Sequence, residues 1–255
     1  MNAVKLAVFQ LRYVNKAFWR NPASAFFTFA FPLMFLVIFT ALLGSGHVQL
    51  GGRSVHQSTY YVAEMAAFSV ITACYNNIAI GLTFQRDTGV LKRTNGTPLP
   101  SAVYFAARVV HALLVSVLLV AITVAFGKIA YQADVPSGAT LLRFLVMLVI
   151  GSATFCGLGF AVTAVIPNSD AAAPIVNASI LPLLFLSGVF IPLGDDAPSW
   201  ITWVARIFPV KHFADGMQAA FLGTSFHWTD VLVVAIWGIA GLLLAVRFFS
   251  WEPRT

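Results

Sequence analysis

The sequence predicts an all-α integral membrane protein: six transmembrane helices, an N-terminal amphipathic helix at the membrane surface, a charged cytoplasmic helix after the second span, and an extracellular re-entrant helical hairpin before the last. Three observations carry this. Of 255 residues, 59% are hydrophobic and only 9% charged, with a mean hydropathy of +0.86. A soluble chain carries about 25% charged residues, so too few charges are present to cover a water-facing surface, and a soluble enzyme is excluded. Apolar runs long enough to cross a bilayer, about 20 residues each, recur six times. The charges gather between those runs and leave room only for short connections, so residues 1–255 read as a single transmembrane domain.

Residues 2–20 form the first element. Lys5, Arg12, Lys16 and Arg20 fall on one helical face, with Leu6, Leu11, Val14, Ala17 and Phe18 opposite. This is the pattern of a basic interfacial helix on an anionic membrane. Basic residues run through all of it and the apolar run that follows is too long for a signal peptide. The first span is 22–43, opened by Pro22, rich in phenylalanine and expected to kink at Pro32. Residues 44–58, with Gly44, Gly46, Gly51 and Gly52, read as a polar loop.

The second span is 59–84, with Tyr60 and Tyr61 as an interface belt, Glu64 about one turn inside it, and Asn76 and Asn77 deeper. The third is 101–127, with Arg108 near its start and His111 one turn on. The fourth, 141–166, has Arg143 at its outer end and repeats Ala153, Gly157 and Ala161 at the spacing that brings helices close in lipid. Residues 167–170 make a tight turn. The fifth span is 171–193 and the sixth 231–249. Between these two, 195–230 mixes Asp195, Asp196, Arg206, Lys211 and Asp215 with many aromatics. A full crossing would bury Arg206 and Lys211 at about 2.5–3.5 kcal/mol each. Trp200, Trp203 and Ile207, then Phe213, Met217 and Phe221, give two apolar stripes broken at Pro209. Two short helices dipping in from one side are predicted.

An even number of spans places both termini on one side. The segments 2–20, 85–100, 167–170 and 250–255 hold Lys5, Arg12, Lys16, Arg20, Arg86, Lys92, Arg93 and Arg254, whereas the opposite segments hold Arg53, Lys128, Arg206 and Lys211. The asymmetry predicts that both termini are cytoplasmic.

Several chemistries are excluded. The one Gly-Lys pair, Gly127-Lys128, is followed by Ile129, so there is no phosphate-binding loop. Cys74 and Cys156 lie in apolar runs and give neither a disulfide framework nor metal spacing. No metal site, resident cofactor or catalytic residue is expected. No basic cluster is long enough for nucleic acid. The ionisable residues Glu64, Arg108, His111 and Arg143 all sit near span ends, which speaks against a buried proton relay. Glu64 reads as an interface residue facing the pathway or as a contact for a cationic substrate or gate. Asn76 and Asn77 read as interhelical hydrogen-bond partners or as ligands. With Phe27, Phe31 and Asn177, these three are the candidate substrate-path residues.

The stretch 85–100, QRDTGVLKRTNGTPLP, is more than a connector. Charges of both signs, a central glycine and a closing Thr-Pro suggest a surface helix offered to a partner. Val90 and Leu91 would bury there, while Arg86, Asp87, Lys92 and Arg93 pair at the rim.

On these residues the chain resembles the membrane subunit of bacterial type-2 ABC exporters over essentially its whole length. The family loop typically reads Glu-Arg-Glu-x-Gly-Thr-Leu-Glu, then Thr-Pro. Arg86, Asp87, Gly89, Leu91, Thr97 and Pro98 match it, while Gln85, Val90 and Lys92 depart from it. The stretch LLFLSGVFIP and Pro209, His212, Asp215 and Gly216 also resemble the family. The resemblance implies an ATP-driven permease in the bacterial plasma membrane. Arg86, Asp87, Gly89, Val90, Leu91, Lys92, Arg93, Thr97 and Pro98 would form the coupling helix. Two copies of a separate ATPase subunit, binding ATP and Mg, would push on 2–20 and 85–100. A second membrane subunit, identical or paralogous, would complete the pathway. A hydrophobic drug or antibiotic, or a lipid or glycan precursor, would move outward. Two alternatives stay open: a secondary transporter or channel without an ATPase, and a non-transporting membrane scaffold.

Overall fold

The structure, a computed structural model, describes residues 3–43, 46–50, 53–193 and 198–252. Asn2, Gly44, Gly51, Gly52, Asp195, Asp196 and Arg254 lie outside them, as does the side chain of Arg53. Among the described residues, six helices are long and apolar enough to cross a membrane. The elements run α1 (Ala3–Trp19), α2 (Pro22–Leu43), β1 (His47–Leu50), β2 (Arg53–His56), α3 (Gln57–Ile71), a π-helical turn (Thr72–Asn76), α4 (Asn77–Asp87), α5 (Val90–Asn95), α6 (Ser101–Tyr131), α7 (Ala139–Val162), α8 (Ser169–Leu186), α9 (Ser199–Ile207), α10 (Pro209–Leu222) and α11 (Trp228–Phe248). Helix α3, the π turn and α4 together make the second span, Gln57–Asp87.

The first span is as expected; the others differ in their ends. The second starts two residues earlier and continues to Asp87, three residues into the stretch read as a surface segment. The third, predicted to end at 127, runs on to Tyr131, where Gln132 takes a left-handed φ of 54° and Ala133 N donates to Gly127 O at 3.2 Å. The fourth is 139–162 where 141–166 was expected, and the sixth 228–248 where 231–249 was expected. The fifth, expected over 171–193, is only Ser169–Leu186. Gly188, at φ 85°, turns the chain, and Ser187 N and Val189 N close on the carbonyls of Leu183 and Leu184. Its 18 residues still span about 27 Å.

The loop predicted over 44–58 contains an antiparallel hairpin, with His47 opposite His56 and Leu50 opposite Arg53. Alternating apolar positions around Gly51-Gly52 are the local reason. Tyr60 and Tyr61, read as an interface belt, are 3% and 0% exposed. Tyr60 donates its hydroxyl hydrogen to Gly188 O at 2.6 Å, so α3 faces other helices and not lipid headgroups. The segment after the fifth span forms two helices broken at Pro209, as predicted. Phe208 is extended (φ −98°, ψ 153°), as a residue before proline prefers.

Helices α7 and α11 make the most extensive contact in the bundle. A Cβ on Gly157 would meet Gly238 O at 3.1 Å, and one on Gly241 would meet Leu158 N at 2.9 Å. This is close packing through small residues. The predicted stripe is right at Gly157 alone: Ala153 is exposed and Ala161 half-buried, so Gly238 and Gly241 supply the rest of the seam. Helix α10 packs on α3, α7 and α11 through Phe213, Met217 and Phe221. On α9, Trp200 and Trp203 point outward, 61% and 70% exposed.

Candidate functional site

Three segments converge on one end of the bundle: α1, α5 and the residues after α11. Trp251 packs on Tyr104 and Phe105 with ring centroids 5.6 and 5.5 Å apart. Lys92 pairs with Glu252 at 3.3 Å, both well exposed, a contact worth little by itself. The cations predicted for the interfacial helix, Lys5, Arg12, Lys16 and Arg20, are all exposed.

Within 85–100 the structure divides residues that the sequence grouped. Arg86 is no rim residue. It is 2% exposed and donates to the carbonyls of Thr163 (3.0 Å), Ile166 (2.7 Å) and Pro167 (3.0 Å). Helix α4 carries Arg86 inside, and the chain leaving α7 has carbonyls with no helical partner. Asp87 accepts from Ser169 N, the first residue of α8, and lies 3.4 Å from Arg86 Nε. Leu91, expected to face a partner, is fully buried in this chain. Gly89 sits at φ 71° and lets the chain turn from α4 into α5. Val90, Lys92, Arg93 and Pro98 remain exposed, and Thr97 bonds back to Thr94 O at 2.7 Å.

Between α1 and the helices α4, α5 and α6 lies a cleft of about 850 Å³. Phe9, Tyr13 and Phe18 of α1 form one wall, and Ala73, Asn77, Ile78 and Gly81 form another. Arg93, Arg108 and His111 line it, and among the described residues no carboxylate does. Arg108 and His111 are three apart on α6 and so share a face. The guanidinium of Arg108 donates to Gln85 Oε1 and lies 4.9 Å over the Tyr104 ring. Its Nε is buried without a partner among the described residues. The sequence showed the Arg108–His111 spacing, but with no facing residue to give it meaning.

The candidate path residues do not meet in one cavity. Phe27 and Phe31 face outward, 55% and 41% exposed, and Asn177 is exposed. Asn77 lines the cleft; Asn76 ends the π turn with its Oδ1 buried and unpaired among the described residues. Such turns cluster at functional sites. Glu64 lies about one turn past Tyr60, as expected, but it is 2% exposed and packed between helices, not at the interface. Its Oε1 accepts from Gln218 Nε2 at 2.9 Å, and its Oε2 has no partner among the described residues. Nearby, Lys211 Nζ bonds Asp215 Oδ1 at 2.7 Å. Burial pushes the Asp215 carboxyl above the usual range, and Lys211 pulls against it. His212 ties α10 to Asp230 at 2.6 Å and to Arg206 O at 2.9 Å. Glu64→Gln, which keeps an acceptor for Gln218, is expected to melt with the parent. Glu64→Leu strands that amide and is expected to be about 1–3 kcal/mol less stable. Thermal melts in detergent check both.

Comparisons with known proteins follow the same outline. A family model described as ABC-2 type transporter matches residues 9–222. The putative transport permease ycf38 of Porphyra purpurea is 25% identical over 225 residues, 86% of this chain and 75% of that one. The putative transport permease YvfS of Bacillus subtilis is 22% identical over 226 residues, 89% of each chain. The daunorubicin resistance ABC transporter permease protein DrrB1 of Streptomyces coeruleorubidus is 25% identical over 240 residues, 92% of this chain and 81% of that one.

Proposed function

The chain belongs to the ABC-2 type transporter family, and on that premise we propose that this multi-pass transmembrane permease exports a hydrophobic or amphiphilic molecule, driven by a separate ATPase subunit. The observation that carries the reading is the convergence of α1, α5 and the C-terminal residues on one basic end of the bundle. That end is cytoplasmic in this proposal, in a bacterial plasma membrane, and faces two ATPase copies that bind ATP and Mg. Val90, Lys92 and Arg93 on α5, with the basic face of α1, are the exposed groups available to them. A push on α5 would be passed on at once. Gly89 joins it to α4, and Arg86 and Asp87 at the end of α4 hold the carbonyls of 163–167 and the start of α8. A force on one short helix would thus move three spans together.

A second membrane subunit, identical or paralogous, would complete the pathway. Exposed aromatics on α2, Phe26, Phe27 and Phe31, suit an apolar partner or substrate. The name of the daunorubicin resistance relative supports a hydrophobic drug as cargo. Helices α9 and α10 would form an extracellular re-entrant hairpin, with Trp200 and Trp203 at the lipid interface.

The orientation is tested by labelling. In a background without Cys74 and Cys156, a cysteine at Ser137 should react with an impermeant thiol reagent in intact cells, and one at Asn95 only after lysis. Reaction at 95 from outside would overturn the orientation and the docking surface together. Docking is tested with Val90→Asp and Lys92→Glu combined: the ATPase should no longer co-purify, at an unchanged melting temperature.

A further inference from the structure

We propose that the cleft between α1, α4 and α6 binds an anionic phospholipid-class amphiphile from the bilayer, with Arg108 and His111 as its head-group contacts. This adds a ligand site to the permease reading.

Charge is the first argument. Arg108 is half-buried within a spanning helix, and its only partners among the described residues are neutral: the Gln85 carbonyl oxygen and the Tyr104 ring. Charges removed from water are normally paired. Among the described residues the guanidinium has no carboxylate partner, and its buried Nε makes no hydrogen bond. Arg93 adds a second cation at the mouth of the cleft, where among the described residues it bonds only the carbonyls of Thr88 and Gly89. One turn beyond Arg108, His111 is 6% exposed, and neither ring nitrogen is hydrogen-bonded among the described residues. Its ring meets Phe18 edge-on at 5.3 Å. A guanidinium fork beside an imidazole N–H donor suits a phosphate diester, which takes several donors at once.

Space is the second, independent argument. Gly81 lies inside α4, where glycine costs about 1 kcal/mol relative to alanine. The price is not explained by packing, because a Cβ there would meet nothing within 4 Å. The missing side chain leaves the cleft open next to Ala73, Ile78, Ala112 and Val115. Apart from Asn77 that wall is apolar, so a free phosphate ion would leave it unfilled, whereas an acyl chain would cover it. The volume, about 850 Å³, lies within the ordinary range of ligand pockets. The exposed cations of α1 would concentrate anionic lipid beside the opening.

The test reads binding without ATPase or transport, so its failure leaves the permease reading standing and failure of export leaves this site standing. The full chain is purified in neutral detergent and mixed with equal amounts of phosphatidylglycerol and phosphatidylcholine. Retained lipid is then read by native mass spectrometry. The parent should keep one phosphatidylglycerol in preference to phosphatidylcholine. Arg108→Gln should weaken that preference about tenfold, the loss of one charge-assisted contact, and Arg108→Lys should restore part of it. Gly81→Leu leaves both head-group contacts in place, fills the open wall and should expel the lipid while melting no lower than the parent. Equal retention of both lipids by the parent, or undiminished phosphatidylglycerol in Gly81→Leu, overturns the proposal. So does displacement of the lipid by millimolar inorganic phosphate, which would mark a free-anion site.

Discussion

Arg86→Ala is expected to be the most damaging single substitution at the end of the second span, costing about 3 kcal/mol or more. The side chain is 2% exposed and its two terminal nitrogens serve three carbonyls, those of Thr163, Ile166 and Pro167, at 2.7–3.0 Å. A hydrogen bond to a charged group contributes about 1.5–3 kcal/mol, and a buried acceptor left without a donor costs about 1–3 more. The carbonyls lie just past the C-terminus of α7, where the helix dipole also favours a cation. Asp87 would lose its neighbouring charge while still bonded to Ser169 N. Arg86→Lys should recover only part, because an ammonium group cannot reproduce the planar fork. Melting in detergent gives the stability arm. The coupling arm belongs to the proposed complex with an ATPase subunit, whose substrate-stimulated ATPase activity should fall even where Arg86→Lys still folds. A parent-like melt for Arg86→Ala would remove the clamp from the account.

The same arginine shows why a sequence reading stops where it does. Arg86 follows an apolar run and stands among charges, so local pattern makes it a surface residue. Its partners are backbone carbonyls some eighty positions away, and a carbonyl has no signature in sequence. Tyr60 and Tyr61 fail for the same reason. Tyrosine near a span end is an interface signal only if the helix faces lipid, and α3 faces other helices. The six apolar runs were legible because the bilayer imposes a length and composition on each. The break at Pro209 was legible because proline acts through its own ring. The hairpin of β1 and β2 could have been read from the alternation around Gly51-Gly52, and the Gly238–Gly241 seam from its spacing. For the cleft, the Arg108–His111 step was visible, but the burial of Glu64 and the separation of Phe27, Phe31 and Asn177 were set by helix packing alone.

The second large effect concerns the contact between α7 and α10. Gly151→Ala is expected to destabilise the protein by about 1–3 kcal/mol, the usual range for overpacking a core. Helix propensity argues the opposite way, since alanine should gain about 1 kcal/mol over glycine in a helix interior. Geometry decides between them. A Cβ on Gly151 would stand 2.0 Å from Phe213 Cε2 and 2.5 Å from Cδ2, far inside van der Waals contact. The ring has little freedom to withdraw: Phe213 is fully buried and packs edge-on to Phe155 at a centroid distance of 5.1 Å. Gly81→Ala is the matched control, because its new methyl group enters open space and only the propensity gain remains. Opposite signs for the two glycine-to-alanine changes are therefore expected in the same melting experiment. Phe213→Leu should lose stability in the parent, yet in the Gly151→Ala background it should cost less, because it vacates the space the methyl group needs. The coupling in that double-mutant cycle measures the contact. Additive losses would mean that α10 does not press on Gly151, and the seat of the α9–α10 hairpin on the bundle would have to be found elsewhere.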